Sequence, residues 1–182
     1  MNNATFYQRI SFTFALAIFA VIHLGLELRD GGVVSHHLLA RVDMPAISNW
    51  WGLLLLPALA WFLYPFMSGS HVSMTKHPAG RLGLSRAAQH RLAGTIVYVG
   101  MLGAAFEIGN EQIPAVLMRI LFPLGIVIPL YRAELILGMV IGMAFTFGAV
   151  IPTIGTGVIA LASYVTHSLA LCIFLKMKTL RK

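Results

Sequence analysis

Six long apolar stretches, separated by short polar segments, constrain the fold of this chain more than any other feature. The stretches are 10–28, 50–67, 92–109, 113–131, 133–151 and 154–175. About 20 apolar residues cross the hydrocarbon core of a bilayer as a helix, and backbone groups in lipid must bond within their own segment, which favours helices. The sequence therefore predicts an all-α, polytopic membrane helix bundle with six transmembrane helices.

The composition supports this prediction and argues for one domain. Of the 182 residues, 58% are hydrophobic and only 10% are charged, whereas soluble domains carry about 25% charged residues. After six spans, the remainder forms an outer loop, 29–49, a basic cytoplasmic loop, 68–91, and short turns. We therefore expect a single membrane domain over residues 1–182 with no separate soluble part.

The basic residues predict the orientation. Ten of the 13 Lys and Arg side chains fall in segments that a six-span topology places on one side, and only Arg29 and Arg41 fall on the other side. Positive charge collects on the cytoplasmic side of membrane proteins, so both termini are expected in the cytoplasm. The net charge of +7 then reflects topology rather than nucleic-acid binding. A re-entrant segment between the fourth and fifth stretches would reduce the count to five spans. The compact chain suits a bacterial inner membrane.

Acidic side chains and a histidine meet at the predicted outer ends of helices 1 and 3. His23 and Glu27 are one turn apart, so their side chains share a face of helix 1. Gly100 and Gly103 lead to Glu107 on a similar small-residue face of helix 3, and such faces favour close helix packing. We expect these faces to point into the bundle, which makes His23, Glu27 and Glu107 the candidate catalytic residues, since His with Glu can act as an acid–base pair.

The string Ile22-His23-Leu24-Gly25-Leu26-Glu27 resembles the first-helix His-x-x-x-Glu of membrane sterol isomerases and their relatives in the EXPERA family. The resemblance covers one helical turn. It implies that such a pair can perform acid–base chemistry within a membrane, and no residue role is transferred beyond that.

The outer loop 29–49 adds further ligand-type side chains. Ser35 can cap a helix and Pro45 can close it, so we expect a helical turn over the mouth of the bundle. Imidazoles and carboxylates bind zinc, iron or manganese, and the candidate metal ligands are His23, Glu27, His36, His37 and Asp43. Adjacent histidines cannot both face inward on one helix. A metal site, an acid–base or ligand-binding site without metal, and a structural polar cap are the three alternatives.

Other polar residues receive structural interpretations. Arg119 lies within helix 4 and is expected to form an ion pair, with Glu111 as the assigned partner. Glu134, at the start of helix 5, complements the helix dipole. Pro123 and Pro129 are expected to kink helix 4.

Three further features of the later helices receive structural rather than catalytic interpretations. Gly138 and Gly142 are expected to pack within the bundle rather than against a second copy. His167 is expected to bond near Ser163 or Ser168, and it argues against haem because no second axial histidine meets it. Cys172 is the only cysteine, which excludes an intramolecular disulfide.

The sequence thus favours a membrane-embedded enzyme or binding protein for a lipid or apolar small molecule, with its site at the extracytoplasmic mouth. A proton or cation transporter or channel is the first alternative, and a non-catalytic membrane assembly subunit is the second. Besides the bilayer, the expected partner is an apolar ligand and not nucleic acid. The cofactor and the oligomeric state stay open.

Overall fold

The computed structural model describes residues 3–38, 41, 43–68, 83–109 and 112–180. Within these residues an all-α class fits the chain. The helices are α1 (Asn3–Arg29), α2 (Gly52–Met67), α3 (Arg86–Glu107), α4 (Gln112–Val127), α5 (Ala133–Phe147) and α6 (Val150–Leu180). A two-stranded hairpin, β1 (Ser35–His37) and β2 (Ala46–Ser48), and one turn of 3-10 helix at Asn49–Trp51 connect α1 to α2.

Three helices of the described chain are long and apolar enough to cross a membrane: Thr5–Arg29, Asn49–Met67 and Val150–Lys178. Only 12% of the most apolar window of α6 is buried inside the protein. So large an exposed apolar surface is unfavourable in water and suits lipid, which supports a membrane protein. α4 and α5 have 16 and 15 residues, hence lengths of about 24 and 22 Å, shorter than a hydrocarbon core of about 30 Å.

The fourth predicted stretch, 113–131, forms a helix that ends earlier, at Val127. The residue before a proline avoids the helical region, so Pro129 terminates α4 and lies outside it. The prediction that Pro129 kinks helix 4 was therefore wrong. Ser163 of α6 completes this end, because the backbone N–H of Leu130 donates to its hydroxyl at 3.1 Å.

The fifth predicted stretch, 133–151, also ends early, at Phe147. Gly148 has φ +66°, a conformation that side-chain-bearing residues rarely adopt, and it turns the chain directly into α6. Pro152 lies in the first turn of α6, where its missing N–H costs no helical hydrogen bond.

The central helix is α5, which packs against α2, α3 and α6. Its two spaced glycines allow the close approach to α3. A Cβ on Gly138 would lie 2.8 Å from the Cβ of Thr95, and one on Gly142 would lie 3.0 Å from the carbonyl oxygen of Ile96. The expectation that these glycines pack within the bundle is confirmed.

The outer loop forms a β-hairpin, and Ser35 lies in its first strand instead of capping the expected helical turn. Ser35 pairs with Ser48, His36 with Ile47 and His37 with Ala46. The extended conformation is favoured because Val33, Val34 and Ile47 are β-branched, and this preference overrode the capping signal at Ser35. Successive side chains of a strand point to opposite faces, so the two histidines still diverge.

Glu134 does more than complement a helix dipole. Its carboxylate is buried, and Oε1 accepts a hydrogen bond from Nε of Arg91 in α3 at 2.6 Å. Arg132 approaches the same oxygen at 3.9 Å. This charged contact joins α3 to α5 at the start of α5.

Candidate functional site

The C-terminal end of α1 carries a closed polar cluster, which we call the α1 cluster and define as His23, Glu27 and Asn49. His23 is 6% exposed, and its Nε2 lies 3.5 Å from Oε1 of Glu27. The Asn49 amide donates a hydrogen bond to that same oxygen. The backbone N–H of Val34 donates to Oε2 at 3.2 Å, so both carboxylate oxygens have partners.

Asn49 is the residue of this cluster that sequence reasoning missed. It is 5% exposed and lies in the 3-10 turn before α2. Its backbone N–H donates to the carbonyl oxygen of Val34 at 3.0 Å, and its side chain lies against Gly148, where a Cβ would overlap the amide oxygen. Asn49 thereby joins the end of α1, the hairpin and the α5–α6 turn. In the sequence, Asn49 marks only the boundary between the outer loop 29–49 and the apolar stretch 50–67.

Aromatic rings close the remaining side of the histidine. The ring of Phe145 meets His23 edge-on with centroids 4.6 Å apart, and Phe19 stacks parallel to it at 6.5 Å. The predicted pair of His23 and Glu27 is therefore brought together but enclosed. This geometry can fix the relative positions of the end of α1, the hairpin and the α5–α6 turn. It presents little surface to a substrate.

His36 lies between this cluster and the end of α3. Burial lowers the pKa of His36 from its ordinary value, and the charges of Glu27 and Glu107 offset part of that shift. His23 lowers it further. The Glu107 side chain is exposed at the end of α3, so the third predicted catalytic residue lies near His36 and outside the α1 cluster.

The five predicted metal ligands are not assembled. His37 lies on the opposite face of β1, with Nδ1 2.8 Å from the carbonyl oxygen of Met44. Asp43 instead pairs with Arg41 at 2.7 Å, and both side chains are exposed. Among the described residues, no group of three or more His, Cys, Asp or Glu side chains is arranged to hold a metal ion.

Arg119 and His167 were predicted to form an ion pair and a hydrogen bond, respectively. Arg119 is exposed on α4, and its assigned partner Glu111 lies outside the described residues. Nδ1 of His167 is 3.0 Å from the carbonyl oxygen of Ser163, which agrees with the expected hydrogen-bonded histidine.

The second feature is an apolar cavity of about 250 Å³ between α3, α4, α5 and α6, which we call the α3–α6 cavity. Its walls are almost entirely hydrocarbon. The lining residues are Tyr98, Val99, Leu102, Leu121, Met139, Met143, Phe147, Ile151, Pro152, Gly155, Thr156 and Ile159. An apolar cavity of about 150 Å³ is enough to bind benzene, so this one can hold a larger apolar group.

The cavity adjoins both the hairpin and the outside of the bundle. Phe147 lines the cavity, and its ring lies 6.4 Å from that of His36. Gly155 lines the cavity and is also exposed on α6, so the space opens beside this helix. Sequence patterns could not reveal the cavity, because its lining consists of ordinary apolar residues from four helices.

No family model matches this chain, and neither does any curated protein or solved structure.

Proposed function

We propose that this protein is a multi-pass membrane protein that binds an apolar small molecule or a lipid chain in the α3–α6 cavity. One observation carries the proposal: four helices enclose about 250 Å³ of almost entirely apolar space. Ligand sites in helical proteins lie between helices and are mostly apolar, with few polar groups. The exposed Gly155 supports entry from the side, through the lipid-facing surface of the bundle.

The proposal includes a topology and a location. Six transmembrane helices with both termini in the cytoplasm would agree with the distribution of Lys and Arg, and they would place the hairpin on the outer side. A bacterial inner membrane is the proposed location. The three helices that are long enough to cross a membrane support the membrane environment, and the short α4 and α5 would then cross a bilayer that is locally thinned around them.

Binding is preferred over catalysis because none of the predicted catalytic residues lines the cavity. His23 and Glu27 are enclosed by their own partners, and Glu107 points to the exterior. We assign the α1 cluster to holding the hairpin over the outer end of the cavity. Proton or cation transport would need polar walls, and the described walls of this cavity have almost none.

Substitutions of two glycines on α6 test the cavity directly. A Cβ on Gly155 or on Gly157 meets no atom within 4 Å, but only Gly155 lines the cavity. Gly155→Phe is expected to fill the cavity without disturbing the helix, whereas Gly157→Phe adds the same bulk outside the cavity. Fluorine NMR of detergent-solubilised protein with 2-fluoronaphthalene would measure binding in the native protein, Gly155→Phe and Gly157→Phe.

The expected result is saturable binding to the native protein and to Gly157→Phe, and none to Gly155→Phe. If the native protein shows no saturable binding, or if Gly155→Phe binds as well as the native protein, the proposed cavity function is wrong. Ion flux in proteoliposomes that persists in Gly155→Phe would favour transport through another part of the molecule.

A further inference from the structure

The end of α5 that lies away from the α1 cluster carries two guanidiniums and one carboxylate. Oε1 of Glu134 lies 2.6 Å from Nε of Arg91 and 3.9 Å from a terminal nitrogen of Arg132. Glu134 is buried, whereas the side chains of Arg91 and Arg132 are 37% and 46% exposed. We call these three residues the arginine cluster. The helix rise from Glu134 to Phe147, at the other end of α5, is about 20 Å.

The arginine cluster holds one positive charge more than its carboxylate can neutralise. Both arginines approach the same oxygen of Glu134, and the only other acid in α3, α5 and α6 is Glu107, at the far end of α3. Within the described part of the chain, Arg91 donates only through Nε, and the Arg132 side chain donates no hydrogen bond. Their remaining N–H groups can therefore donate to a further anion.

α6 extends its apolar surface past the level of this cluster. The backbone N–H of Leu130 donates to the Ser163 hydroxyl, so the α4–α5 turn lies level with Ser163 on α6. Beyond Ser163, α6 exposes large apolar side chains as far as Phe174, about 16 Å further along the helix. Such a surface suits hydrocarbon, and lipid that covers it also reaches the exposed guanidinium of Arg132.

Aromatic rings lie next to Arg132 on the side of α6. Tyr131 is 38% exposed, and its ring centroid lies 5.5 Å from that of Tyr164 and 5.8 Å from that of His167. Exposed tyrosines are typical of the level of lipid headgroups. An arginine next to hydrocarbon is costly unless it is paired, and a phosphate group matches the fork of N–H donors that a guanidinium presents.

We propose that the arginine cluster binds the phosphate group of an anionic phospholipid, with Arg132 as the main donor and the lipid chains along α6. The charge that Glu134 leaves unneutralised favours an anionic headgroup over a zwitterionic one. The cluster shares no residue with the α3–α6 cavity, so this site goes beyond the proposed function. The proposed topology places it on the cytoplasmic side, where anionic lipids give the leaflet its negative potential.

Stabilisation by added lipid in detergent tests the proposal. A ligand that binds the folded state raises the unfolding midpoint in a concentration-dependent way, which gives apparent affinities. The ligands are dioleoylphosphatidylglycerol, dioleoylphosphatidylcholine with the same chains, and inorganic phosphate. Arg132→Gln removes one guanidinium and leaves the contact between Arg91 and Glu134. Arg86→Gln is the matched control, because it removes the same charge from an exposed position at the start of α3.

The preference for phosphatidylglycerol over phosphatidylcholine is expected to fall about tenfold in Arg132→Gln, the value of one hydrogen bond between charged groups. Arg86→Gln should lower it by less than about twofold, because salt screens exposed charges at a distance. Arg132→Lys keeps the charge without the planar fork of donors and should lower the preference by about threefold. It also provides the test if Arg132→Gln fails to fold.

Equal affinity of the native protein for the two lipids would overturn the proposal, and so would equal losses of preference in Arg132→Gln and Arg86→Gln. Inorganic phosphate that stabilises the native protein as strongly as phosphatidylglycerol at the same concentration would overturn the assignment to a lipid. Gly155→Phe should leave the lipid preference unchanged, so failure of the cavity function and failure of this proposal are distinguishable.

Discussion

The α1 cluster and the α3–α6 cavity are neighbours with opposite character. In the cluster, Glu27 is bonded through both carboxylate oxygens, and His23 is only 6% exposed. In the cavity, the walls are almost entirely apolar and space is available. The residues that stand out chemically in the sequence therefore hold structural elements together, whereas the proposed binding site is lined by ordinary apolar side chains.

Removing the carboxylate at the centre of the cluster gives the largest expected effect. Glu27→Ala should lower the free energy of unfolding by about 3 kcal/mol, because a buried amide and a buried imidazole lose their common partner. Chemical denaturation in detergent would measure this loss. Glu107→Ala, at an exposed position, is the matched control and should lower the free energy of unfolding by less than about 0.5 kcal/mol. A loss of similar size for both glutamates would contradict the contrast between cluster and surface.

Gly148→Ala is expected to lower the free energy of unfolding by about 2 kcal/mol or more. A positive φ is strained for alanine, and the new Cβ overlaps the Asn49 amide. Gly109 is the matched control. It also has positive φ, +72°, but a Cβ there meets no atom within 4 Å. Gly109→Ala should therefore cost only the backbone strain, about 1 kcal/mol. Equal losses in thermal unfolding of the two variants would show that Asn49 does not hold the α5–α6 turn.

Truncation next to the cavity should cost less than truncation in the core. Met139 borders the cavity, whereas Leu137, two residues earlier on α5, is fully buried in the core. Leu137→Ala should lose about 2–3 kcal/mol and Met139→Ala about 1 kcal/mol, since fewer packing contacts disappear beside existing space. Met139→Ala should also accept a larger naphthalene derivative. A greater loss of stability for Met139→Ala would argue that the cavity is filled by protein in solution.

Acidification gives the smallest expected effect. Because the pKa of His36 is lowered in the folded state from 6.5, the unfolded chain binds more protons below that pH. The stability contributed by neutral His36 is complete above pH 6.5 and is lost as pH falls through the folded pKa. Unfolding midpoints of the native protein and His36→Gln between pH 8 and pH 5 would measure this, and identical pH profiles would contradict it.

Sequence patterns predicted the all-α class and the His23–Glu27 contact, because apolar run length and one-turn spacing are local properties. The hairpin was missed because capping signals at Ser35 and Pro45 competed with neighbouring β-branched residues. The ends of α4 and α5 depended on Pro129 and on the positive φ of Gly148, neither of which interrupts an apolar run.

The partners within the cluster and the cavity arise from tertiary structure. Asn49 acquires its role from Glu27, 22 residues earlier in the chain. The cavity is a property of four helices and of the spaces between them. Neither the contacts of Asn49 nor the lining of the cavity follows a fixed residue spacing that could be recognised in the sequence.

The contact between Arg91 and Glu134 bears on how the chain is assembled during synthesis. The arginine leaves the ribosome 43 residues before the glutamate. The guanidinium is therefore already present when the carboxylate is delivered into an apolar environment, where an isolated charge would be costly to place. Vectorial translation thus supplies the guanidinium before the buried carboxylate with which it pairs.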